Sequence, residues 1–192
     1  MSWFNYAYEG TPPWDIGRPQ GEIVRLTEAG EIKGVVLDVG CGTGENSLFL
    51  ASKGHEVWGI DAAPLAIEKA NEKARQRALK ATFLVHDALN LASLGREFDT
   101  VIDSGLFHTF SDEEREIFVK SLGSVLRHGG TYHMLCFSDK EPAGGGPRRI
   151  SQAEIRSTFR RGWRINYIKE TSFEAGFGGH APRAWRVSIT RE

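Results

Sequence analysis

The sequence predicts an α/β fold: a Rossmann-like doubly wound sheet of seven strands, five parallel plus a C-terminal antiparallel hairpin, with helices on both faces. Three observations predict it. Short apolar runs alternate with helix-period segments between Val35 and Phe137. A glycine-rich turn follows the first of those runs. The last third of the chain changes to strict period-2 alternation, which suits a half-exposed antiparallel pair.

Val35–Val39 is a β-branched run that reads as a buried strand. A helix is expected over 45–53, stopped by Gly54. Residues 56–60 form the second strand, and Pro64 opens a helix to about Leu79, with Ala66, Ala70 and Ala74 four apart. Thr82–Val85 and Phe98–Ser104 are the third and fourth strands, and Asp99 reads as a solvated strand-start residue. Ser111 with Glu114 makes a capping box for a helix whose apolar face is Phe118, Leu122, Val125 and Leu126. Gly129 and Gly130 end that helix, and residues 131–137 are the fifth strand. Ser151 with Glu154 caps a further helix, expected to reach about Arg161. The alternating strands follow: Trp163, Ile165 and Tyr167, then Trp185, Val187 and Ile189.

The chain has 192 residues, 40% hydrophobic and 26% charged, and reads as a single domain with one sizeable core. A formal net charge of −1 gives no field to recruit nucleic acid or an anionic membrane. No apolar stretch approaches the ~18 residues that span a bilayer. The start, aromatic and polar over 1–10, lacks the basic and apolar regions of a signal peptide. Two cysteines, Cys41 and Cys136, make no disulfide framework, so a reducing cytoplasm is the simpler location. His55, His128, His133 and His180 have no metal-ligand spacing, and no metal is expected.

The informative segment places Gly40, Gly42 and Gly44 between a strand and a helix, where glycines allow a tight turn and close approach to a ligand. Asp61 follows 21 residues after Gly40, at the end of the second strand, where a carboxylate can accept from a ribose diol. A dinucleotide fingerprint would need its third glycine at position 45, which is Glu45. A carboxylate there would repel a pyrophosphate. S-adenosyl-L-methionine carries no phosphate and two cationic groups, and an acidic rim of Asp38, Glu45 and Asp61 suits it.

The run Asp38-Val-Gly-Cys-Gly-Thr-Gly44 resembles motif I of class I methyltransferases. Asp61 matches their ribose-binding acid, His86-Asp-Ala88 resembles their adenine site, and the segment from Phe98 to Gly105 resembles motif IV. This resemblance covers residues 33–138 as a cofactor-binding core and implies S-adenosyl-L-methionine as cofactor, with S-adenosyl-L-homocysteine as product. It implies cofactor contacts from Cys41 and Asn46 in the first turn, Ala62 beside Asp61, Asp87, Ala88 and Leu89 at the adenine, and Asp103, Ser104 and His108 after the fourth strand. Asp87 could equally be only a turn former.

Two features reach beyond this core. An aromatic arm over 1–20 contains Trp3, Phe4, Tyr6, Tyr8 and Trp14, and its Pro13-Trp-Asp-Ile-Gly-Arg18 is similar to an arm of the thiol, halide and thiopurine (tellurite-resistance-like) small-molecule methyltransferases. By resemblance Trp14 and Arg18 would cover the methionine end, Arg18 pairing with its carboxylate. The other reading is an arm that simply packs its aromatics over a groove. The second feature is His108, which follows Asp103 at the strand edge where open α/β sheets bind ligands. A neutral imidazole there could act as a general base, with Asp103 beside it, or could merely pack.

Residues 139–150 hold a glycine-rich stretch, 143–147, expected to border the acceptor. Arg148, Arg149, Arg156, Arg160, Arg161 and Arg164 read as a solvated face. The expected function is methyl transfer from S-adenosyl-L-methionine to a small molecule at S, O, N or halide, by a monomer or homodimer. A non-catalytic binding protein and, more remotely, an NAD-linked oxidoreductase are the alternatives.

Overall fold

The computed structural model describes residues 3–142, 144–176 and 180–192, with the side chains of Trp3 and Phe4 also outside the description. Ala143 of the expected glycine-rich loop therefore lies outside it. The strands are β1 (Val35–Val39), β2 (Glu56–Asp61), β3 (Thr82–Val85), β4 (Phe98–Ser104), β5 (Leu126–Phe137), β6 (Trp163–Ser172) and β7 (Arg183–Arg191). They form one sheet in the order β3-β2-β1-β4-β5-β7-β6. The first five are parallel, and β7 and β6 add antiparallel. The order reverses between β1 and β4, which opens a crevice at the carboxyl ends of those two strands.

The helices are α1 (Trp3–Ala7), α2 (Gly21–Glu28), α3 (Glu45–Ser52), α4 (Pro64–Gln76), α5 (Asp112–Val125) and α6 (Gln152–Thr158). One sheet face buries Phe118, Leu122 and Val125 of α5 and Ile155 of α6 against Val101, Tyr132, Met134, Trp185 and Val187. The other carries α2 and α3, through Ile23, Leu26 and Leu50 on Val36, Val57 and Ile102. Helix α4 joins through Ile67, Ala70 and Ala74 on Leu48 and Phe83. Both capping boxes form, Ser111 with Glu114 and Ser151 with Glu154.

The structure departs from the sequence expectations in several places, among them the short helix α1 in the arm and the end of α4 at Gln76 instead of about Leu79. Helix α2 was not legible, because its eight residues show only Ile23 and Leu26 as buried apolar positions. Strand β5 begins at Leu126, which pairs with Phe98 across a register shift, instead of at 131. Helix α6 ends at Thr158 because Phe159 turns extended into the core, at φ −96 and ψ 91. In β6 a bulge between Ile165 and Tyr167 breaks the strict alternation. Trp163, Ile165 and Ile168 face the main core, while Tyr167 turns to the other side and donates to Glu31 at 2.7 Å. Asp99, finally, is pinned: it accepts from the Val35 amide at 2.8 Å and pairs with Arg127 at 2.6 Å.

Candidate active site

The ends of β1, β2, β3, β4 and β5 place the glycine turn, Asp61, Asp87, the turn after Ser104, and Phe137 along one edge of the sheet. The glycine turn sits in the left-handed region. Gly42 has φ +54, and a Cβ there would lie 2.8 Å from the Tyr8 hydroxyl. Gly44 has φ +84, and its Cβ would lie 2.8 Å from the Phe83 ring and 3.0 Å from Ala70. Only glycine fits both the backbone and the space.

Asp61 locks this turn to β2. Its Oδ2 accepts from the Gly42 amide at 2.9 Å and its Oδ1 from the Ala63 amide at 2.8 Å. Burial raises its pKa, against the lowering effect of those two amides. Each oxygen retains a second lone pair, so the carboxylate can still accept from a diol. Asp87 is exposed and its Oδ1 accepts from Leu89 N at 2.9 Å, capping a 3-10 turn over Ala88–Leu94. Its turn-forming role is thus present, and Oδ2 has no partner among the described residues. Ala88 is buried and Leu89 half-buried against the main core, while Ala62 is exposed beside Asp61.

Asp38 lies beneath the turn, buried, accepting from Ser47 Oγ at 2.6 Å. Burial pushes its pKa up to about 7, with the charges of Asp103 and Asp61 adding to the shift. The Cys41 amide donates to Ile60 O, and its thiol packs with Leu48, Ile67 and Phe83 and donates to Gly42 O at 3.6 Å. Asn46 Oδ1 accepts from the Gln20 amide at 2.9 Å and so ties the turn to the arm. Glu45 corrects the expected acidic rim. It pairs with both guanidinium nitrogens of Arg77 at 2.8 Å and with Lys73 at 2.8 Å. Its burial would raise its pKa, but these partners outweigh that and hold it low. A neutralised Glu45 repels no pyrophosphate, so the case against a dinucleotide keeps only the missing third glycine.

The N-terminal arm lies directly on this turn. Asn5 Oδ1 accepts from Leu65 N, and the buried Tyr8 packs on Ala63 and Ala66. Trp14 Nε1 donates to the Tyr8 hydroxyl at 3.1 Å. Thr43 Oγ1 donates to Asp15 at 2.7 Å, and Lys73 reaches the same hydroxyl at 2.6 Å. Pro13 O accepts from Gly176 N, and Gln20 exchanges two hydrogen bonds with the Glu174 backbone. Arg18 is exposed and paired with Glu174. Sequence reasoning named Trp14 and Arg18 but missed Tyr8, whose only signal was its place in an aromatic-rich run.

Beyond the crevice the site becomes apolar. Asp103 is fully enclosed; Oδ1 accepts from Leu106 N at 2.7 Å, and Oδ2 from Phe107 N at 3.0 Å and Tyr132 Oη at 2.7 Å. Burial pushes its pKa up to about 6 against those donors. Its oxygens are committed to shaping the turn, and a catalytic part for Asp103 gains no support. Ser104 is half-buried and pairs with Leu135 in the sheet. His108 Nδ1 accepts from the Phe137 amide at 3.0 Å, and its ring meets Phe137 at 4.8 Å and Phe173 at 5.7 Å between centroids. Leu135 and Ala184 back Phe137 and Phe173.

Two arginines that composition placed in solvent, or left unremarked, turn inward. Arg149 lies over Phe137 and donates to the carbonyls of Pro142 and Pro147, shaping the loop. Arg115 is 2% exposed and stacks over Phe107 at 5.1 Å. Arg148 instead stays on the surface with Asp112 and Glu154.

Comparison with known proteins matches this architecture. Residues 36–130 fit a family model described as a methyltransferase domain. The 2-heptyl-1-hydroxyquinolin-4(1H)-one methyltransferase of Mycobacteroides abscessus is 39% identical over 171 residues, spanning 88% of this chain and 75% of that protein. A structure solved for the conversion of a disulfide bond into a thioacetal group during echinomycin biosynthesis superposes with TM-score 0.90 at 37% identity, covering 98% of this chain and 90% of the other. Magnesium protoporphyrin IX methyltransferase from Synechocystis PCC 6803, solved with bound S-adenosylmethionine, gives TM-score 0.70 at 25% identity over 90% and 77% of the two chains. The glycine turn and the Asp61 carboxylate, with lone pairs to spare, fit that cofactor. The chain belongs to the class I S-adenosylmethionine-dependent methyltransferases.

Proposed function

We propose that this enzyme methylates a small, largely apolar molecule at an oxygen or sulfur atom, acting as a single catalytic domain. The observation that carries the reading is the apolar cluster of Phe137, Phe173, Leu135 and Ala184, with His108 packed against its two aromatic rings beside Gly105 at the end of β4. The relative that acts on a hydroxyquinolinone and the neighbour associated with sulfur chemistry support such an acceptor. When bound, S-adenosyl-L-methionine supplies an electrophilic methyl on a sulfonium. Asp61 would accept from its ribose, Asp87 would meet its adenine amine, and the backbone of Gly40 to Gly44 would line its methionine end. Tyr8 and Trp14 would cover the turn and exclude water, a lid function for the arm. These apolar side chains would hold the acceptor in line, and positioning supplies much of the acceleration of such a displacement.

Among the described residues no helix is long and apolar enough to cross a membrane. Cys41 and Cys136 are both free and buried, which suits a reducing compartment such as the cytoplasm. The test is calorimetry with S-adenosyl-L-methionine, then release of S-adenosyl-L-homocysteine over 2-heptyl-1-hydroxyquinolin-4(1H)-one, thiophenols, phenols and amines. Turnover on the phenolic or thiol members is expected. Tight cofactor binding with no turnover on any of them would favour the non-catalytic alternative.

A further inference from the structure

We infer that His108 donates a hydrogen bond to the acceptor atom instead of removing its proton, so that the acceptor enters the site already ionised, as an oxyanion or thiolate. The inference rests on the function proposed above and adds the protonation state of its substrate. Its first support is the tautomer. His108 Nδ1 accepts the buried Phe137 amide at 3.0 Å, so the proton of the neutral ring resides on Nε2. A general base needs a free lone pair facing the acceptor, and Nε2 has none in this state. Moving the proton to Nδ1 would set two N–H groups against each other and orphan a buried amide, at a cost of about 1–3 kcal/mol.

The second support is the surroundings. His108 is 5% exposed, packed between Phe137 and Phe173. Its ring edge approaches the turn at Gly105, where a Cβ would lie 3.6 Å from Nε2. Arg115 of α5 and Arg149 of the loop after β5 supply positive charge from two sides. Burial and these two cations drive its pKa down to about 3, so the ring stays neutral through the working range. Arg115 pairs through Nη1 with Asp112 and Glu154 at 3.4 Å and stacks over Phe107, while its Nε and Nη2 have no hydrogen-bond partner among the described residues. The two guanidinium groups favour an anion over its conjugate acid, against the desolvation that burial imposes.

The third support is that the neighbouring acids and thiol are committed. Asp103 spends its oxygens on Leu106, Phe107 and Tyr132. Glu141 holds His180 and the Arg183 amide, both at 2.7 Å. The Cys136 thiol is fully buried and pushed up by that burial. Ala143 and the Phe177-Gly-Gly179 stretch carry no ionisable side chain.

The step then balances without an enzyme base. The acceptor loses its proton to water before binding. Its lone pair forms the bond to the methyl carbon as the carbon–sulfonium bond breaks, the pair goes to sulfur, and the two opposite charges cancel. The hydrogen bond from Nε2 weakens as the acceptor charge disappears, so it holds and orients the bound anion more than the transition state. Loss of His108 is therefore expected to act on KM, whereas loss of a base would act on kcat.

The experiment uses the full chain with 2-heptyl-1-hydroxyquinolin-4(1H)-one and a set of 4-substituted thiophenols of graded acidity. The acid limb of kcat/KM should move with each acceptor's own pKa. His108→Ala should raise acceptor KM by about tenfold or more and leave kcat within about threefold. His108→Gln, whose amide keeps a donor and takes up no proton, should recover most of the loss. An acid limb fixed at one pH for all acceptors, or a fall in kcat of about 100-fold in His108→Gln, would overturn the inference. Nitrogen NMR of histidine-labelled protein reads the same question without turnover. A ring protonated at Nε2 and unchanged between about pH 5 and 8 is expected; protonation at Nδ1, or titration near pH 6, refutes it. A protein that turns over none of these acceptors overturns the proposed function, and the ring signals still decide the state of His108.

Discussion

The proposed cofactor end and the proposed acceptor end of the site lie on one sheet edge but are built in opposite ways. At the cofactor end, residues close in sequence do the work: three glycines within five positions, and Asp61 bonded to the Gly42 amide. At the acceptor end, His108, Phe137, Phe173 and Arg149 come from remote segments and meet only in the fold. The first end is polar and fixed by backbone geometry; the second is apolar and fixed by packing. Such a division lets one end keep a constant ligand while the other changes specificity by substitution of a few side chains. The arm bridges the two, through Thr43–Asp15 on one side and Gly176–Pro13 on the other.

The sharpest way to break this comparison is Gly44→Val. A β-branched residue at φ +84, with its Cβ 2.8 Å from Phe83, should cost roughly 3 kcal/mol or more and abolish measurable cofactor binding in calorimetry. Retention of affinity would mean that the glycine turn is not the cofactor cradle. Asp61→Ala should weaken cofactor binding by about 1–3 kcal/mol, with acceptor KM unchanged at saturating cofactor. An unaltered dissociation constant would remove the ribose from this carboxylate. Phe173→Leu tests the other end: acceptor KM should rise about threefold to tenfold, with cofactor affinity constant. A parallel loss of cofactor affinity would show that the two ends are not separable.

A last prediction concerns pH and reads stability instead of binding. Asp38, ordinarily ionised above about pH 4, is pushed up to about 7 in the fold by burial. Between those values the folded state holds a proton that the unfolded chain has released, so stability falls as pH rises from about 4 to 7. Asp38→Asn removes this dependence while keeping an acceptor for Ser47. The difference in Tm between pH 5 and pH 8 should shrink by about 5–10 °C in scanning calorimetry, at ~1.4 kcal/mol per unit of pKa shift and ~2–4 °C per kcal/mol. An unchanged difference would assign the pH dependence elsewhere, Asp103 first.

How legible each end was follows from the same contrast. The first four strands, from Val35 to Ser104, and the two capping boxes are local patterns, and they form as read, within a residue or two at most ends. The bulge in β6 was not legible, because Trp163, Ile165 and Tyr167 alternate in sequence whether or not the register slips. Helix α2 showed too few apolar positions to mark a face. Glu45 looked like a free acid because its partners, Lys73 and Arg77, lie a helix away. Arg149 looked solvated and Arg115 was passed over because charge in a sequence gives no sign of burial.

The sequence by itself determined the class of fold and the kind of cofactor, since both depend on periodicity and on a contiguous glycine turn followed by a carboxylate at fixed distance. Tertiary structure alone decided the chemistry open to His108. Its ring nitrogens are equivalent candidates in the sequence, and they became distinct only when β5 brought the Phe137 amide to within 3.0 Å of one of them. A hydrogen bond from a backbone amide to a ring nitrogen 29 residues away is a property of the packed fold.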